Sequence, residues 1–507
     1  MKKTTRNILA TLAVAVVLGG TVTALLLTQP DTEENFSSVS SSASSDTSIS
    51  LYSYDDSEIE SISVSNANGG YKIIAHTETV STTSDTSSGE ETTNTTFYVD
   101  GVDESLQNTA TIDNAANYGT TLSASSEIGA ADELNLEDYG LKDPVATVTT
   151  TLTDGDEVSY SIGNDSPVSG TYVLYDDTVY AASVGTYFDK TNLDFVVTTI
   201  LTITPPDDSD DSSSSDSSSS DSDSNEYTQF VFTGSNFPQE VKVVPQSALT
   251  SSFKLVSPYE VSVNSTTFES LTSNIESLTA TSVAAVNPTD EQLEEFGLKN
   301  PTVQMKVSVN GNSYTLLSGK LNGSDRYVML KGVDVVYVCS EDSVSSWANA
   351  TLFSLRDSFV WLQDITQVNK VTLKTPDRTE VFTLTRTENE ESSTEDQVAY
   401  DYSVTGTDGQ DITYSGVFTT YYQTLIGVQL LDETTETEPT GDLMLSVTYD
   451  FYDGGESRVI NYYSIGGRRC LVEVNGQIVG VVSESVVQEI IDNLDTVLDN
   501  QSIDGDS

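Results

Sequence analysis

The chain is short of the side chains that do most protein chemistry, and short of positive charge. Its 507 residues include one histidine, two cysteines and two tryptophans. Two cysteines are too few for a disulfide framework, and their number and spacing exclude a cysteine-ligated metal centre. Cys339 ends the apolar run Val335-Val336-Tyr337-Val338, and Cys470 begins Cys470-Leu471-Val472. Both therefore read as buried free thiols. His76 is the one imidazole on which a catalytic triad would have to draw. It follows Tyr71-Lys72-Ile73-Ile74-Ala75 at the end of an expected strand and reads as a surface residue. Lys and Arg number 21 against 78 Asp and Glu, a net charge of −57. Nucleic-acid binding needs a basic footprint to displace counterions from phosphates, so that class is excluded. An anionic lipid surface would repel the body of the chain.

Nucleotide and hydrolase motifs are missing too: the chain has no Gly-x-Ser-x-Gly elbow, Walker loop or dinucleotide fingerprint. Carboxylates are abundant, which makes acid pairs weak evidence for a glycosidase. The sharpest acid motif is Asp221-x-Asp223-x-Asn225, which opens like a calcium loop. It fails, because Glu226 stands where glycine is required and Phe232 where the bidentate Glu belongs. The expectation is a chain that is not an enzyme and takes no cofactor or metal.

One long hydrophobic run is present, from Ile8 to Leu27. Lys2, Lys3 and Arg6 precede it, and Asp31, Glu33 and Glu34 follow. About 20 residues at 1.5 Å each cross a hydrocarbon core of roughly 30 Å. Charge asymmetry then puts the amino terminus in the cytoplasm and the bulk outside, a single-pass protein of the cell membrane. A cleavable signal peptide is the rival reading, but its apolar stretch is usually shorter, about 7 to 15 residues.

The strongest signal is a phrase used twice. Leu136-Glu137-Asp138-Tyr139-Gly140-Leu141-Lys142-Asp143-Pro144 returns as Leu293-Glu294-Glu295-Phe296-Gly297-Leu298-Lys299-Asn300-Pro301. The paired leucines read as apolar pins around a turn. Gly140 and Gly297 suit a left-handed backbone at a helix end. Pro144 and Pro301 cannot continue a helix and open an extended segment. The acids beside the turn, Glu137, Asp138, Glu294 and Glu295, read as solvated. After each proline comes period-2 alternation broken by Asp154-Gly155 and Asp176-Asp177, or by Asn310-Gly311 and Lys331-Gly332. Such turns between alternating segments predict a four-stranded antiparallel meander. A third meander without the signature runs from Leu443 to Val482, around Asp453-Gly454-Gly455 and Asn475-Gly476.

Upstream of each meander the pattern predicts strands and then one amphipathic helix. The strands are Ile59–Val64 with Tyr71–Ile74, Val241–Val244 with Phe253–Val256, and Val368–Leu373 with Val381–Leu384. The helix is clearest where Phe268, Leu271, Ile275 and Leu278 fall on one face; Leu106–Leu122 and Val417–Val428 are weaker equivalents. Val486–Leu494 is expected to close the chain as a further amphipathic helix. The fold class expected is α+β: three tandem repeat modules behind an N-terminal transmembrane helix. The boundaries expected are a cytoplasmic tip at 1–7, the anchor at 8–27 and a disordered Ser/Thr-rich tether at 28–50. Module one follows at 51–204, a disordered Ser/Asp linker at 205–226 and module two at 227–362. A degenerate module three at 363–499 and a tail at 500–507 complete the chain.

A membrane span followed by Leu-Glu-acid-aromatic-Gly-Leu-x-x-Pro and a Gly-turn meander resembles the bacterial family called domain of unknown function 4340. Members of that family are membrane-anchored extracytoplasmic proteins, often encoded beside ABC-type exporter components of the kind associated with gliding motility. The resemblance implies a non-catalytic accessory subunit of an ABC-type exporter or related envelope complex, with a permease and an ATPase as partners. The family has no established catalytic residues, so the only site residues expected are the structural signature: Leu136, Tyr139, Gly140, Leu141 and Pro144, with Leu293, Phe296, Gly297, Leu298 and Pro301. The alternative is a cell-surface adhesin or cell-wall-binding protein. An exposed aromatic row drawn from Tyr172, Tyr175, Tyr180 and Tyr187 would favour glycan binding, although these tyrosines read better as half-buried strand residues.

Overall fold

The structure is a computed structural model that describes residues 48–81, 91–168, 170–206, 224–247, 251–393 and 398–503. The expected cytoplasmic tip, the anchor at 8–27 and most of the Ser/Thr tether lie outside the described residues. Among the described residues no helix is long and apolar enough to cross a membrane. The fold is α+β, dominated by three large antiparallel sheets.

Alternation along the strands sets the layers. Ala146–Leu152 and Val303–Val309 each bury every second residue, which turns one face of the sheet inward. Ala146-Thr147-Val148 continues through a consecutive meander, Ala146–Leu152, Glu157–Asp165, Thr171–Tyr175 and Thr178–Ala182. The second meander is Val303–Val309, Asn312–Asn322, Asp325–Leu330 and Val335–Ser340. Asp442–Phe451, Arg458–Gly466, Arg469–Val474 and Gln477–Ser483 form the third. At Asn310-Gly311 both residues have positive φ (50° and 73°), the geometry of a two-residue hairpin turn.

In each of the three large sheets an upstream strand runs antiparallel beside the first meander strand. Ile59–Asn66 pairs with Ala146–Leu152, Tyr227–Thr233 with Val303–Val309, and Val368–Lys374 with Asp442–Phe451. The middle case corrects the sequence reading. The expected pair Val241–Val244 and Phe253–Val256 does form a hairpin, but it lies farther out, and Tyr227–Thr233 occupies the central position. That strand buries only Phe230 and Phe232 and directly follows the Ser/Asp tract, so its alternation is weak in sequence. Glu91–Val99 and Tyr400–Thr405 were not expected as strands either; each is rich in polar residues and extends its sheet outward.

Helices cover the inward face. Thr109–Thr120 is capped by Asn108, whose side chain accepts from Thr111 N at 3.2 Å, and it buries Ile112, Ala115 and Ala116. Ser265–Glu276 is capped likewise by Asn264 and buries Phe268, Leu271 and Ile275. Leu278 is buried as expected, but from the strand Ser277–Thr279 rather than from the helix. In the third sheet Thr419–Ile426 and Glu484–Leu498 share the role, joined where Tyr421 Oη donates to Ile490 O at 3.0 Å. Each fully buried apolar side chain in these layers contributes about 1.5–3 kcal/mol.

Two expected boundaries shift. Ile49 and Ser50, assigned to the tether, begin the strand Ile49–Ser53 beside Thr121–Ala130. The ends of the Ser/Asp linker are also built in. Asn310 Nδ2 donates to Thr204 O at 2.9 Å and to Asn225 Oδ1 at 2.8 Å, so the two flanks of the tract lie side by side. Residues 207–223 lie outside the described residues.

Candidate functional site

The signature residues come together in one kind of turn, seen twice. Leu141 N donates to Leu136 O at 2.9 Å, and Leu298 N to Leu293 O at 2.8 Å. Gly140 (φ 69°) and Gly297 (φ 75°) hold the left-handed position that closes each turn. Tyr139 O accepts from Asn164 N, and Phe296 O from Lys320 N, both at 2.8 Å, so each turn is fastened to the second meander strand. The strand glycines Gly163 and Gly319 permit this approach: a Cβ there would fall 2.2 Å from Tyr139 O and 2.4 Å from Phe296 O. The Tyr139 ring meets Tyr172 edge-on at 4.9 Å, and Phe296 meets Tyr327 at 4.6 Å. Leu141 and Leu298 are buried beneath. Leu298 packs with Ala285, Met329 and Val336 in a cluster separate from the main core, on the sheet face away from the helices. Pro144 and Pro301 stand two residues before the strands that begin at Ala146 and Val303.

The acids of the turns stay in solvent. Glu137 pairs with Lys142 at 3.2 Å and Glu294 with Lys299 at 4.0 Å, exposed contacts each worth about 0–1 kcal/mol. Lys320 Nζ donates to the carbonyls of Glu294 (3.2 Å) and Glu295 (2.9 Å), which completes the carboxyl end of the short helix Asp290–Glu295.

The reactive side chains are scattered. His76 lies within the strand Tyr71–Ser81 rather than at its end, exposed, with Nε2 3.3 Å from Glu78. Cys339 and Cys470 are both free and buried, and burial pushes their thiols up to about 12 and about 11, away from nucleophilic use. Tyr172, Tyr175, Tyr180 and Tyr187 are half-buried. Tyr175 packs on Tyr52 and Tyr187 on Tyr118, so these four do not form an exposed row. Of the calcium-like motif, Asp221 and Asp223 lie outside the described residues; the Asn225 amide is held by Glu276, and Phe232 is buried. Among the described residues no group of three or more His, Cys, Asp or Glu side chains is placed to hold a metal ion.

A further surface feature lies between the second and third sheets. Arg356, 2% exposed, anchors that junction. Its guanidinium donates to Tyr259 Oη at 3.1 Å and to the carbonyls of Asp357 (2.9 Å), Phe359 (2.5 Å) and Val360 (3.3 Å). Beside it opens a cleft of about 420 Å³ whose lining includes Gln246, Trp361, Gln363, Phe451, Asp453 and Arg458. Trp361 leans on buried Tyr449 at 5.0 Å, and the Arg458 guanidinium lies 5.3 Å from its ring centre. Arg356 and the cleft glutamines carried no signal, because nothing in their local pattern says that two sheets meet there.

A family model described as Domain of unknown function (DUF4340) matches residues 107–210 and 254–412, together more than half of the chain. No curated protein and no solved structure matches it.

Proposed function

The chain belongs to the DUF4340 family, and from that premise we propose that it is a non-catalytic scaffold subunit of an envelope complex. It is anchored in the cell membrane by residues 8–27, with its bulk outside, and it serves an ABC-type exporter whose ATP hydrolysis resides on another chain. The body is three tandem copies of one module. The shared strand order supports that reading: an upstream strand beside the first strand of a four-strand meander, with helices on the inward face. The third copy has lost the signature, and a bridge between Asp432 and Val481 stands where the others have a strand beside the meander's last member.

The observation that carries the proposal is the fate of the signature. Its aromatic rings, leucines and glycines are all spent on docking a turn against the sheet, and its acids stay in solvent, Glu137 and Glu294 in exposed pairs. What the recurring residues specify is therefore a module that presents sheet faces and edges, the equipment of a protein that binds other proteins.

The test is gentle detergent extraction of the tagged full-length protein, followed by mass spectrometry of what accompanies it. The expected result is an ABC permease and ATPase, lost when residues 51–507 are exchanged for another soluble domain. Recovery of the protein alone, with its soluble part sedimenting on purified cell wall, would replace this reading with the adhesin.

A further inference from the structure

We infer that the cleft between the second and third sheets is a binding site for a neutral oligosaccharide. Its volume of about 420 Å³ lies within the range of roughly 300–1,000 Å³ usual for small-ligand sites. Its lining alternates apolar ring surface, from Trp361, Phe359 and Phe451, with polar groups of both kinds. Several of those groups are unengaged. Among the described residues, the side chains of Gln363, Gln367 and Arg458 make no hydrogen bond or ion pair, and neither does the Trp361 indole N–H. Arg458 is nevertheless held in place by the Trp361 ring. A planar donor fixed on an aromatic face loses little rotamer entropy when it takes a partner.

Charge selects the ligand class. Lys254 and Arg458 face Glu260, Asp357 and Asp453, and Lys254 is already paired with Glu260. The site is thus close to balanced, with one carboxylate in excess, inside a chain of net charge −57. A phosphate or polyanion would meet repulsion there, and an acyl chain would leave the amides and carboxylates unpaired. A sugar fits both features. Its C–H faces pack on rings, while each hydroxyl donates to a carboxylate or amide oxygen and accepts from an amide or guanidinium N–H. The site joins two separately cored parts of the molecule, so occupancy would also brace the junction. This inference stands whether or not the chain assembles with an exporter.

The experiment is calorimetric titration of the full-length protein in an amine-oxide detergent, which has no sugar headgroup to compete. The probes are cellotetraose, tetra-N-acetylchitotetraose and the acidic control tetragalacturonate. Saturable binding of at least one neutral tetrasaccharide at one site per chain is expected, weakened at least about tenfold by Trp361→Ala and by Gln363→Ala. Should Trp361→Ala fail to fold, judged by its melting curve, the exposed Gln367→Ala decides in its place. No heat from either neutral sugar, preference for the acidic one, or binding unchanged in the cleft variants would each overturn the inference.

Discussion

The two junctions between sheets are built on different physics. Between the first and second sheets the backbone itself is shared: Thr199–Thr202 pairs with Ser277–Thr279, and Ile203 N and Ala280 N extend the ladder at 2.9 and 2.8 Å. Ile200, Leu201 and Ile203 lie in one apolar core that runs from Tyr52 to Leu355 without a break. Between the second and third sheets the cores are separate. The contact there includes isolated bridges, Val263 to Arg356 and Phe359 to Gln429, around one buried arginine, with Tyr259 and Phe353 packed against the third core and an open cleft beside them. A continuous core makes two sheets one cooperative unit. A polar hub fixes their orientation and leaves them able to unfold apart.

The largest expected effect comes from attacking the continuous junction. Leu201→Asp puts a charge where Leu201 is 5% exposed, and should destabilise the first two sheets by about 4 kcal/mol. The two buried thiols make reporters for the comparison, Cys339 for the joined pair of sheets and Cys470 for the third. In urea, Leu201→Asp should expose Cys339 to a thiol reagent at lower denaturant while Cys470 stays protected as before. Loss of protection at both together would show that all three sheets form one unit.

Arg356→Ala probes the polar hub, and about 3 kcal/mol is expected because it strands several carbonyls and Tyr259 Oη. Its signature should be limited proteolysis within 356–362 and a third-sheet transition that separates from the rest; an unchanged cleavage pattern would argue against the hub.

A smaller effect, about 2 kcal/mol, belongs to the pair Arg326–Glu341, which ties the second sheet to the helix Glu341–Ala348, where Nε to Oε2 is 2.8 Å. The hydrogen bonds from Arg326 hold the Glu341 carboxyl below its ordinary range. Its contribution is therefore complete above the unfolded value near 4.3 and is lost as pH falls through the lower folded value. Melting of the first two sheets should drop as pH falls below about 4. Glu341→Gln should start lower and vary less over that window, with the third-sheet transition unmoved in either protein.

The smallest expected change is Gly297→Ala, about 1–2 kcal/mol from forcing a Cβ into the left-handed turn. The added Cβ would also sit 2.7 Å from Lys320 Cγ, which can move. Gly140→Ala should cost at least as much, since there the Cβ meets the backbone N of Asn164 at 2.9 Å. Chemical denaturation of the two variants ranks them.

Much of this was legible because it is local. Turn pairs such as Asn310-Gly311, period-2 alternation, and the Gly and Pro of the signature act over a few residues, so the meanders could be read directly from the chain. The signature turns were legible for the same reason, although their docking partners Tyr172 and Tyr327 were not, being many residues away. Legibility failed where the pattern was diluted or the decision was non-local. Tyr227–Thr233 has two inward phenylalanines, too few to announce a central strand. Leu278 keeps helical spacing with Ile275 but follows the strand Thr199–Thr202 instead, because pairing with it satisfies its backbone.

Local chemistry thus determined the strands, the turns, the helix faces and the excess of negative charge, since backbone preference and side-chain periodicity are properties of short segments. Tertiary structure alone decided that Asn310 brings the two ends of the Ser/Asp tract together, that the first two sheets share a core, and that Arg356 and Trp361 stand beside one cleft. Those outcomes depend on which buried polar groups find partners across long separations in the chain, and no short stretch of residues encodes that.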